Sequence, residues 1–452
     1  MEYTDYYFIG IGGIGMSAIA RYFKHQGRNV SGYDRTLSPL TRQLESEGIA
    51  IHYENDITAI PRDIDKTFVI YTPAIPSDFG ELEYVREKGY ALVKRSKALG
   101  EISNGQKCLA ISGTHGKTTT STLLAHILTA SGEGCNAFLG GISKNYGTNL
   151  LLSKNKVLVA EADEFDRSFL QLHPSIAVIT ATDADHLDIY ENRENMLEAF
   201  GTFASQVEPS GTILIKKGVE VPEKDIRARI MRYSYNEPCD FYASDIKAVA
   251  DGLFDFTLNH PSGAIPHCTL GIPGWVNVEN AVAASAVALL HGVEEEKVRQ
   301  ALGSFSGVKR RFDIHFKSEE CAYIDDYAHH PNEIKAAISS IRNIFPERRL
   351  CGIFQPHLYT RTRDFADDFA EALSGLDSLI MLPIYPAREE PLPGVTASLI
   401  FDKVSIEDKI LTDKEHLMEV LAEKAEGCIV TLGAGDIDRF IDPIEQWLRE
   451  RY

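Results

Sequence analysis

The residues from Gly113 to Thr120 form the pattern in this chain that is best suited to chemistry on a phosphate group. They read Gly-Thr-His-Gly-Lys-Thr-Thr-Thr, after the apolar run Cys108–Ile111 and before a segment with helical spacing, Leu123–Leu128. In this order of strand, glycine-rich loop and helix, backbone N–H groups can approach phosphate oxygens closely. Lys117 supplies a positive charge, and the hydroxyl of Thr118 can reach Mg²⁺. We therefore predict an ATP loop made of Gly113, Thr114, His115, Gly116, Lys117, Thr118 and Thr119.

The spacing inside this loop is unusual. Two residues separate Gly113 from Gly116, whereas about four separate the glycine from the Gly-Lys pair in the common pattern. A turn that only happens to read Gly-Lys-Thr is the alternative interpretation. The strand before it, the helix after it and the three successive threonines favour an ATP loop.

Acidic residues follow two further apolar runs. Glu161–Asp166 comes after Val157–Ala160 and holds four carboxylates in six residues, and Asp183–Asp188 comes after Ile176–Thr180. Carboxylates at a strand end beside an ATP loop are typical Mg²⁺ ligands. A solvated acidic loop is the alternative for the first segment, and a purely structural histidine is the alternative for His186 in the second.

A second glycine pattern opens the chain. Gly10, Gly12 and Gly15 match G-x-G-x-x-G after an apolar run, and Asp34 follows about 20 residues later. This pattern favours a nucleotide with a diphosphate, which would lie at a helix N-terminus with Asp34 near a ribose. A tight turn without a ligand is the alternative.

The last third of the chain contains clusters of arginine and histidine. They lie in Lys309–Phe312, Asp325–Pro331 and Gln355–Arg363. Arginine pairs well with phosphate and carboxylate groups, so the clusters suit anionic ligands. Each of these charges taken alone could equally be a surface residue.

Elements that could position these residues alternate along the chain. Short apolar runs and helical segments follow one another, which predicts an α/β fold with mostly parallel sheets and functional residues at the carboxyl ends of the strands. We predict three domains, a Rossmann-like domain at 1–103, a P-loop ATPase-like domain at 104–310 and a second Rossmann-like domain at 311–452. Residues 216–271 look more irregular, with short alternating runs such as Phe254–Leu258. The predicted strands are Tyr6–Ile11, Phe68–Tyr71, Cys108–Ile111, Val157–Ala160, Ile176–Thr180, Cys351–Phe354, Leu379–Leu382 and Cys428–Leu432.

Composition narrows the class of protein. The 452 residues carry a formal net charge of −19, which argues against nonspecific nucleic-acid binding. No apolar run approaches the ~20 residues of a membrane span, and the N-terminus lacks the basic start of a secretory signal. Seven scattered cysteines fit reduced thiols, not a disulfide framework or zinc site. These features predict a cytoplasmic protein without membrane insertion.

Taken together, the motifs resemble those of the Mur ligases of peptidoglycan synthesis. They occur in family order through all three predicted domains. The resemblance implies ATP-dependent ligation with Mg²⁺, in which the lactyl carboxylate of UDP-N-acetylmuramate is phosphorylated and the resulting acyl phosphate is attacked by the amine of L-alanine. The stretches that carry it are Gly10–Ser17, Gly113–Thr120, Glu161–Asp166, Asp183–Asp188, Arg310–Phe312, Asp325–Pro331, Gln355–Arg363 and Ile384–Pro391.

The resemblance also implies roles for individual residues. Lys117, His186 and Arg311 would be catalytic. Thr118, Glu161 and His186 would hold metal ions. Asn280, Arg311 and Asp326 would join the ATP loop in binding ATP, while Tyr327 and His329 would lie at the muramoyl and amino-acid end. The UDP-substrate would contact Gly12, Gly13, Ile14, Gly15, Met16, Ser17, Asp34, His357 and Arg361.

Three departures from the family pattern stand out. Trp275-Val276 replaces a common Arg-His pair, Leu358 replaces a common arginine, and Phe165 replaces a more usual serine. No lysine occurs between Asp188 and Lys216, so we expect no carbamylated lysine for the second metal. That absence suits the alanine-adding branch of the family.

Three alternatives remain open at this stage. The first is a recycling ligase that joins a tripeptide to UDP-N-acetylmuramate, although its branch typically has an aromatic Glu-Phe-Asp-His version of Asp183–Asp188. The second is a nicotinamide dehydrogenase built on Gly10–Gly15, which leaves Lys117 unexplained. The third is a nucleotide-binding regulator without chemistry. A monomer and a homodimer are both compatible with the sequence.

Overall fold

The computed structural model of the chain describes residues 3–184, 187–387 and 389–452, with the backbone alone at Leu187, Asp188 and Asp251. It has two compact units. The first contains the residues up to Ser244 with Thr257–Cys268 and Asn280–Phe305, and the second contains Asp245–Phe256, Thr269–Glu279 and Ser306–Tyr452. No helix within the described ranges is long and apolar enough to cross a membrane. None of the seven cysteines, all of which lie in the described ranges, forms a disulfide bond.

The first sheet has five parallel strands among the described residues, in the order β3-β2-β1-β4-β5. Strand β1 ends at Ile9, two residues before the predicted end at Ile11. The next residue, Gly10, has a φ of +88°, a conformation that L side chains rarely adopt and that a strand cannot contain. The strands are β1 (Asp5–Ile9), β2 (Asn29–Tyr33), β3 (Ala50–His52), β4 (Thr67–Tyr71) and β5 (Ala91–Lys94). The helices are α1 (Ile14–His25), α2 (Pro39–Ser46), α3 (Gly80–Lys88) and α4 (Arg95–Ser103).

The second sheet has ten strands among the described residues, in the order β15-β14-β13-β12-β11-β10-β6-β9-β7-β8. Strand β6 lies between β9 and β10 and is parallel to both. The strands are β6 (Lys107–Ser112), β7 (Asn136–Phe138), β8 (Leu150–Leu151), β9 (Val157–Ala162), β10 (Ile176–Ile179), β11 (Thr212–Lys216), β12 (Arg229–Ser234), β13 (Phe241–Ala248), β14 (Phe254–His260) and β15 (Gly263–Leu270). The helices are α5 (Lys117–Ala130), α6 (Leu187–Tyr190), α7 (Arg193–Ser205), α8 (Trp275–His291) and α9 (Glu295–Ser304).

The third sheet has six strands among the described residues, in the order β16-β17-β21-β18-β19-β20, and only its β16–β17 pair is antiparallel. Apolar clusters cover both of its faces. The strands are β16 (Asp313–Lys317), β17 (Ala322–Asp326), β18 (Leu350–Phe354), β19 (Ser378–Met381), β20 (Lys409–Leu411) and β21 (Cys428–Leu432). The helices are α10 (Pro331–Ile344), α11 (Tyr359–Asp364), α12 (Ala366–Leu373), α13 (Ser398–Phe401), α14 (Leu417–Lys424) and α15 (Ile441–Arg451).

This architecture confirms the predicted α/β class, and each predicted strand is present with ends that differ by at most two residues. Residues 216–271, predicted to be more irregular with short alternating runs, contain the regular strands β12 to β15, and the predicted run Phe254–Leu258 lies within β14. The first two sheets share one apolar cluster that includes Phe8 and Ile19 from the first and Ala110 and Phe138 from the second. This shared core fixes the first glycine pattern relative to the second sheet.

Candidate active site

The predicted ATP loop connects β6 to α5 at the carboxyl edge of the second sheet. Gly113 has a φ of +125° and Gly116 has a φ of +81°. A methyl group on Gly113 would overlap Thr180, and one on Gly116 would lie 2.8 Å from Oδ1 of Asn280. Both positions therefore need glycine for backbone conformation and for space.

Lys117 begins α5 and is tied down by the chain itself. Its Nζ donates to Oε1 and Oε2 of Glu164 at 2.9 and 2.7 Å and to the Gly113 carbonyl oxygen at 2.7 Å. Glu164 is buried, and its own carbonyl oxygen accepts from the Tyr190 hydroxyl at 2.6 Å. Burial lowers the pKa of Lys117, but Glu164, Asp163 and Glu161 raise it more, so the net shift is upward and the ammonium stays charged.

Two of the predicted metal ligands are adjacent. The Thr118 hydroxyl donates to Oε1 of Glu161 at 3.1 Å, while the Gly140 N–H donates to Oε2 at 3.1 Å. A hydroxyl and a carboxylate are ligands of the type that Mg²⁺ prefers, so this pair fits part of its coordination shell. No group of three or more histidine, cysteine or acidic side chains suited to a metal occurs in the described part of the chain. The third predicted ligand, His186, lies outside the described residues.

The segment after β10 also reaches the ATP loop. The Asp183 N–H donates to the Thr114 hydroxyl at 3.1 Å, and Oδ2 of Asp183 lies 3.2 Å from Nε2 of His115. Because β6, β9 and β10 are neighbours in a parallel arrangement, the segments that follow them meet at one edge. The predicted clustering of these motifs is therefore present.

Asn280 lies beside the ATP loop, as part of α8. Its Oδ1 accepts from the Thr120 hydroxyl at 3.2 Å, and its side chain is the one that a methyl group on Gly116 would meet. Asn280 is buried. In the second unit, Asn277 instead donates from Nδ2 to the Pro273 carbonyl oxygen at 2.6 Å.

The first glycine pattern connects β1 to α1 at the carboxyl edge of the first sheet. Oδ2 of Asp34 accepts from the Gly12 N–H at 2.7 Å, and Oδ1 accepts from the Thr36 N–H at 2.9 Å. A methyl group on Gly12 would lie 2.6 Å from Cγ2 of Thr41 and 2.8 Å from Oδ2 of Asp34. Asp34, predicted to lie near a ribose, thus also fixes the shape of the loop.

Sequence reasoning missed a buried amide that holds this loop. Asn149, next to β8, donates from Nδ2 to the Ile14 carbonyl oxygen at 2.6 Å and to the Ser17 hydroxyl at 3.0 Å. Its Oδ1 accepts from Arg21, whose guanidinium also forms two 2.8 Å bonds with Glu47. An isolated Asn in a sequence gives no signal of such a role.

The acidic segment after β9 makes two contacts that the sequence did not predict. Oδ2 of Asp163 lies 3.3 Å from Nη2 of Arg95, and Oδ2 of Asp166 lies 2.9 Å from Nζ of Lys94. The sequence signal for them is a pair of consecutive basic residues at the end of a strand, where Lys94 ends β5 and Arg95 begins α4. These contacts tie Glu161–Asp166 to the first sheet.

In the second unit, the Asp326 carboxylate binds the N–H group of the residue that follows Arg311. Asp326 accepts from the Phe312 and Ala328 N–H groups, both at 2.8 Å. Burial raises the pKa of Asp326 to about 6, although Arg311 and these two N–H groups lower it. The Arg311 guanidinium lies 4.9 Å from the centre of the Tyr327 ring. Arg310, which sequence reasoning did not single out, contacts the same ring and pairs with Asp325 at 3.2 Å.

The predicted residues of the amino-acid end also lie together in the second unit. The His329 ring centre is 5.2 Å from that of Tyr327 and 5.9 Å from that of His357. Arg361 is buried in α11. Leu358, at the start of that helix, is buried and has a φ of +72°.

Glu333 is an acidic residue in this basic cluster that sequence reasoning missed. Its Oε2 accepts from the His329 N–H at 3.1 Å, and its Oε1 lies 3.9 Å from Nη1 of Arg311. The same Oε2 lies 3.5 Å from Nδ1 of His329, so the carboxylate links an imidazole and a guanidinium that we predicted separately.

Family models match three parts of the chain. They are described as the Mur ligase family catalytic domain at residues 5–107, the Mur ligase middle domain at 111–288 and the Mur ligase glutamate ligase domain at 310–435. A curated relative from Parabacteroides distasonis, named UDP-N-acetylmuramate–L-alanine ligase, is 49% identical over 451 residues, 98% of this chain and 97% of the relative.

Solved structures give the same result. The UDP-N-acetylmuramate–alanine ligase of Thermotoga maritima has a TM-score of 0.85 at 25% identity, over 99% of this chain and 100% of the other. A murein peptide ligase of Psychrobacter arcticus has a TM-score of 0.73 at 22% identity, over 99% and 98%. The second similarity shows the fold alone.

Proposed function

Because this chain belongs to the Mur ligase family, we propose that it joins L-alanine to the lactyl carboxylate of UDP-N-acetylmuramate, using ATP, in peptidoglycan synthesis. The geometry that supports ligation is the meeting of the ATP loop with the acidic segment, where Thr118 lies 3.1 Å from Glu161. The near full-length similarity to a named L-alanine ligase supports the choice of amino acid. The acid and amine would be joined as an amide, with release of ADP and phosphate.

ATP supplies the phosphoryl group that turns an unreactive carboxylate into an acyl phosphate, and Mg²⁺ offsets the charge of the phosphates. Thr118 and Glu161 would hold the metal ion, with His186 proposed as a further ligand. Lys117 would transfer its hydrogen bonds from Glu164 to the terminal phosphates. Asn280, whose side chain lies against Gly116, is proposed to join the loop in binding ATP.

The same proposal gives roles to the other predicted residues. The diphosphate of the sugar nucleotide would lie on Gly12–Ser17. Arg311 and Asp326 would act on ATP, and Tyr327, His329, His357 and Arg361 would contact the muramoyl and amino-acid end. The domain boundaries at 103/104 and 310/311, the cytoplasmic location and the monomeric or homodimeric state stay predictions.

The rival activities have less support. The murein peptide ligase is similar in fold, at an identity too low to suggest its substrate. A dehydrogenase would leave the Lys117 and Glu161 arrangement without a function. A nucleotide-binding regulator would use that arrangement, and the near full-length similarity to a named ligase favours ligation over it.

An isotope experiment tests the chemistry. In the proposed reaction, a lactyl carboxylate oxygen attacks the γ-phosphorus and ADP leaves; the amine then attacks the carbonyl carbon, loses a proton and expels phosphate. UDP-N-acetylmuramate with both carboxylate oxygens as ¹⁸O should therefore yield phosphate with one ¹⁸O atom and an amide with the other. Unlabelled phosphate from a reaction that forms amide would contradict the proposal.

A further inference from the structure

The acidic segment Glu161–Asp166 contacts the first sheet as well as the ATP loop. Asp163 pairs with Arg95 at 3.3 Å, and Asp166 pairs with Lys94 at 2.9 Å. The basic partners are consecutive, at the junction of β5 and α4. One short segment thus connects the place where ATP is expected with the place where the sugar nucleotide is expected.

Arg95 lies directly over the first glycine pattern. A methyl group on Gly15 would be 2.5 Å from Nη1 and 3.3 Å from Cδ of Arg95. Gly15 belongs to the first turn of α1, and Gly13, which precedes that helix, has no side chain to cap it. First-turn N–H groups have no partner within their own helix, and together with the helix dipole they favour an anion.

The contact with Asp163 leaves Arg95 able to bind such an anion. It joins Nη2 to a single carboxylate oxygen at 3.3 Å, whereas a guanidinium has five N–H donors in a planar fork. The Arg95 side chain is 20% exposed and that of Asp163 is 32% exposed, so both can exchange partners without unfolding the core. A phosphate group accepts two parallel bonds from arginine, which a single carboxylate contact does not match.

We propose that Arg95 binds the diphosphate of the sugar nucleotide and leaves Asp163 when it does so. This inference rests on the proposed function, because that function supplies the diphosphate. Asp163 then acts as a competing anion that holds the guanidinium in place over Gly15 until the substrate arrives. Arg95 is a substrate-binding residue with no part in bond formation.

Calorimetric titration of the full-length, nucleotide-free protein with UDP-N-acetylmuramate tests the proposal. Arg95→Ala should weaken binding by about 10- to 100-fold, the usual effect of losing a hydrogen bond to a charged group. Lys94→Ala is the matched control, because it removes the same charge from the neighbouring residue. It should change the dissociation constant by less than about twofold.

Asp163→Asn should change the affinity for UDP-N-acetylmuramate in the opposite direction, which a folding defect would not do. Removing the competing anion should tighten binding by about two- to fivefold, and this gain should vanish in the Arg95→Ala background. Equal weakening by Arg95→Ala and Lys94→Ala would overturn the proposal in favour of general electrostatic attraction. Weaker binding by Asp163→Asn would overturn the proposal that Asp163 competes with the diphosphate for Arg95. Failure of the wild-type protein to bind UDP-N-acetylmuramate would instead refute the proposed function.

Discussion

Lys117 and the buried Glu164 form an ion pair in which both carboxylate oxygens accept from the same ammonium group, at 2.9 and 2.7 Å. The third N–H of that ammonium donates to the Gly113 carbonyl oxygen. All three donors of the lysine are therefore occupied by the chain itself. A triphosphate that binds Lys117 must replace Glu164, so Glu164 holds the lysine in position for its ligand.

Replacing Glu164 with Gln should reveal this exchange. The variant should be less stable without nucleotide by about 2 kcal/mol or more, since it leaves a largely buried ammonium without its closest counter-ion. Mg²⁺-ATP restores a negative partner, so the rise in melting temperature on adding it should be larger in the variant than in the wild type. Asp166→Asn, in the same segment, is the control. Equal rises in all three proteins would show that Glu164 does not compete with the phosphates.

Replacing Lys117 with Ala should affect the ATP site and leave the sugar-nucleotide site intact. Ligation should fall by about a thousandfold or more, because the charge on the transferring phosphoryl group loses its main partner. The dissociation constant for UDP-N-acetylmuramate should stay nearly unchanged, since the first glycine pattern is built by a different sheet. Loss of that binding with ATP turnover retained would refute the assignment of the two loops.

We expect Asn149 to stabilise the first glycine pattern and, through it, the binding of the sugar nucleotide. Asn149→Ala removes bonds to Ile14, Ser17 and Arg21 from a buried site, and we expect a loss of about 2–4 kcal/mol in unfolding free energy. Thermal melts compared with Asn145→Ala, which removes one amide bond to Ser304, give the measurement. A wild-type melting temperature in Asn149→Ala would show that the network is dispensable.

The pKa of Asp326 gives a pH dependence with a defined sign. Burial raises this pKa from 3.8 to about 6, so the folded state binds the proton more tightly than the unfolded state does. The stabilising contribution is complete below about pH 4 and is lost as the pH rises through about 6. The melting temperature of the wild type, relative to that of Asp326→Asn, should therefore fall over this range. Asp402→Asn controls for the loss of a surface carboxylate, and a constant difference across the range would contradict the expectation.

The sequence predicted those parts of the site that local patterns determine. Glycine at positions 113 and 116 follows from the loop conformation, and strands such as β6 and β9 follow from short apolar runs. The contacts of Asn149 could not be predicted, because its partner Ser17 is 132 residues away in the chain. Proximity of that kind is created by packing between sheets and leaves no periodic signal.

At Gly12 the structure adds a reason for glycine that the sequence does not suggest. The sequence suggests that glycine there permits close approach of a diphosphate. In the structure, a side chain at this position would first meet Thr41 and Asp34, so a substitution would disturb the fold of the loop as well. Arg95 and Asp163, at the surface of the same site, are cleaner positions for testing substrate binding.

The most direct test of the central claim is phosphate release from Mg²⁺-ATP in the presence of UDP-N-acetylmuramate, with L-alanine compared with L-alanyl-γ-D-glutamyl-diaminopimelate. The account predicts release that depends on L-alanine, with one amide formed for each phosphate. Release that depends only on the tripeptide would contradict it and would assign the chain to the recycling reaction.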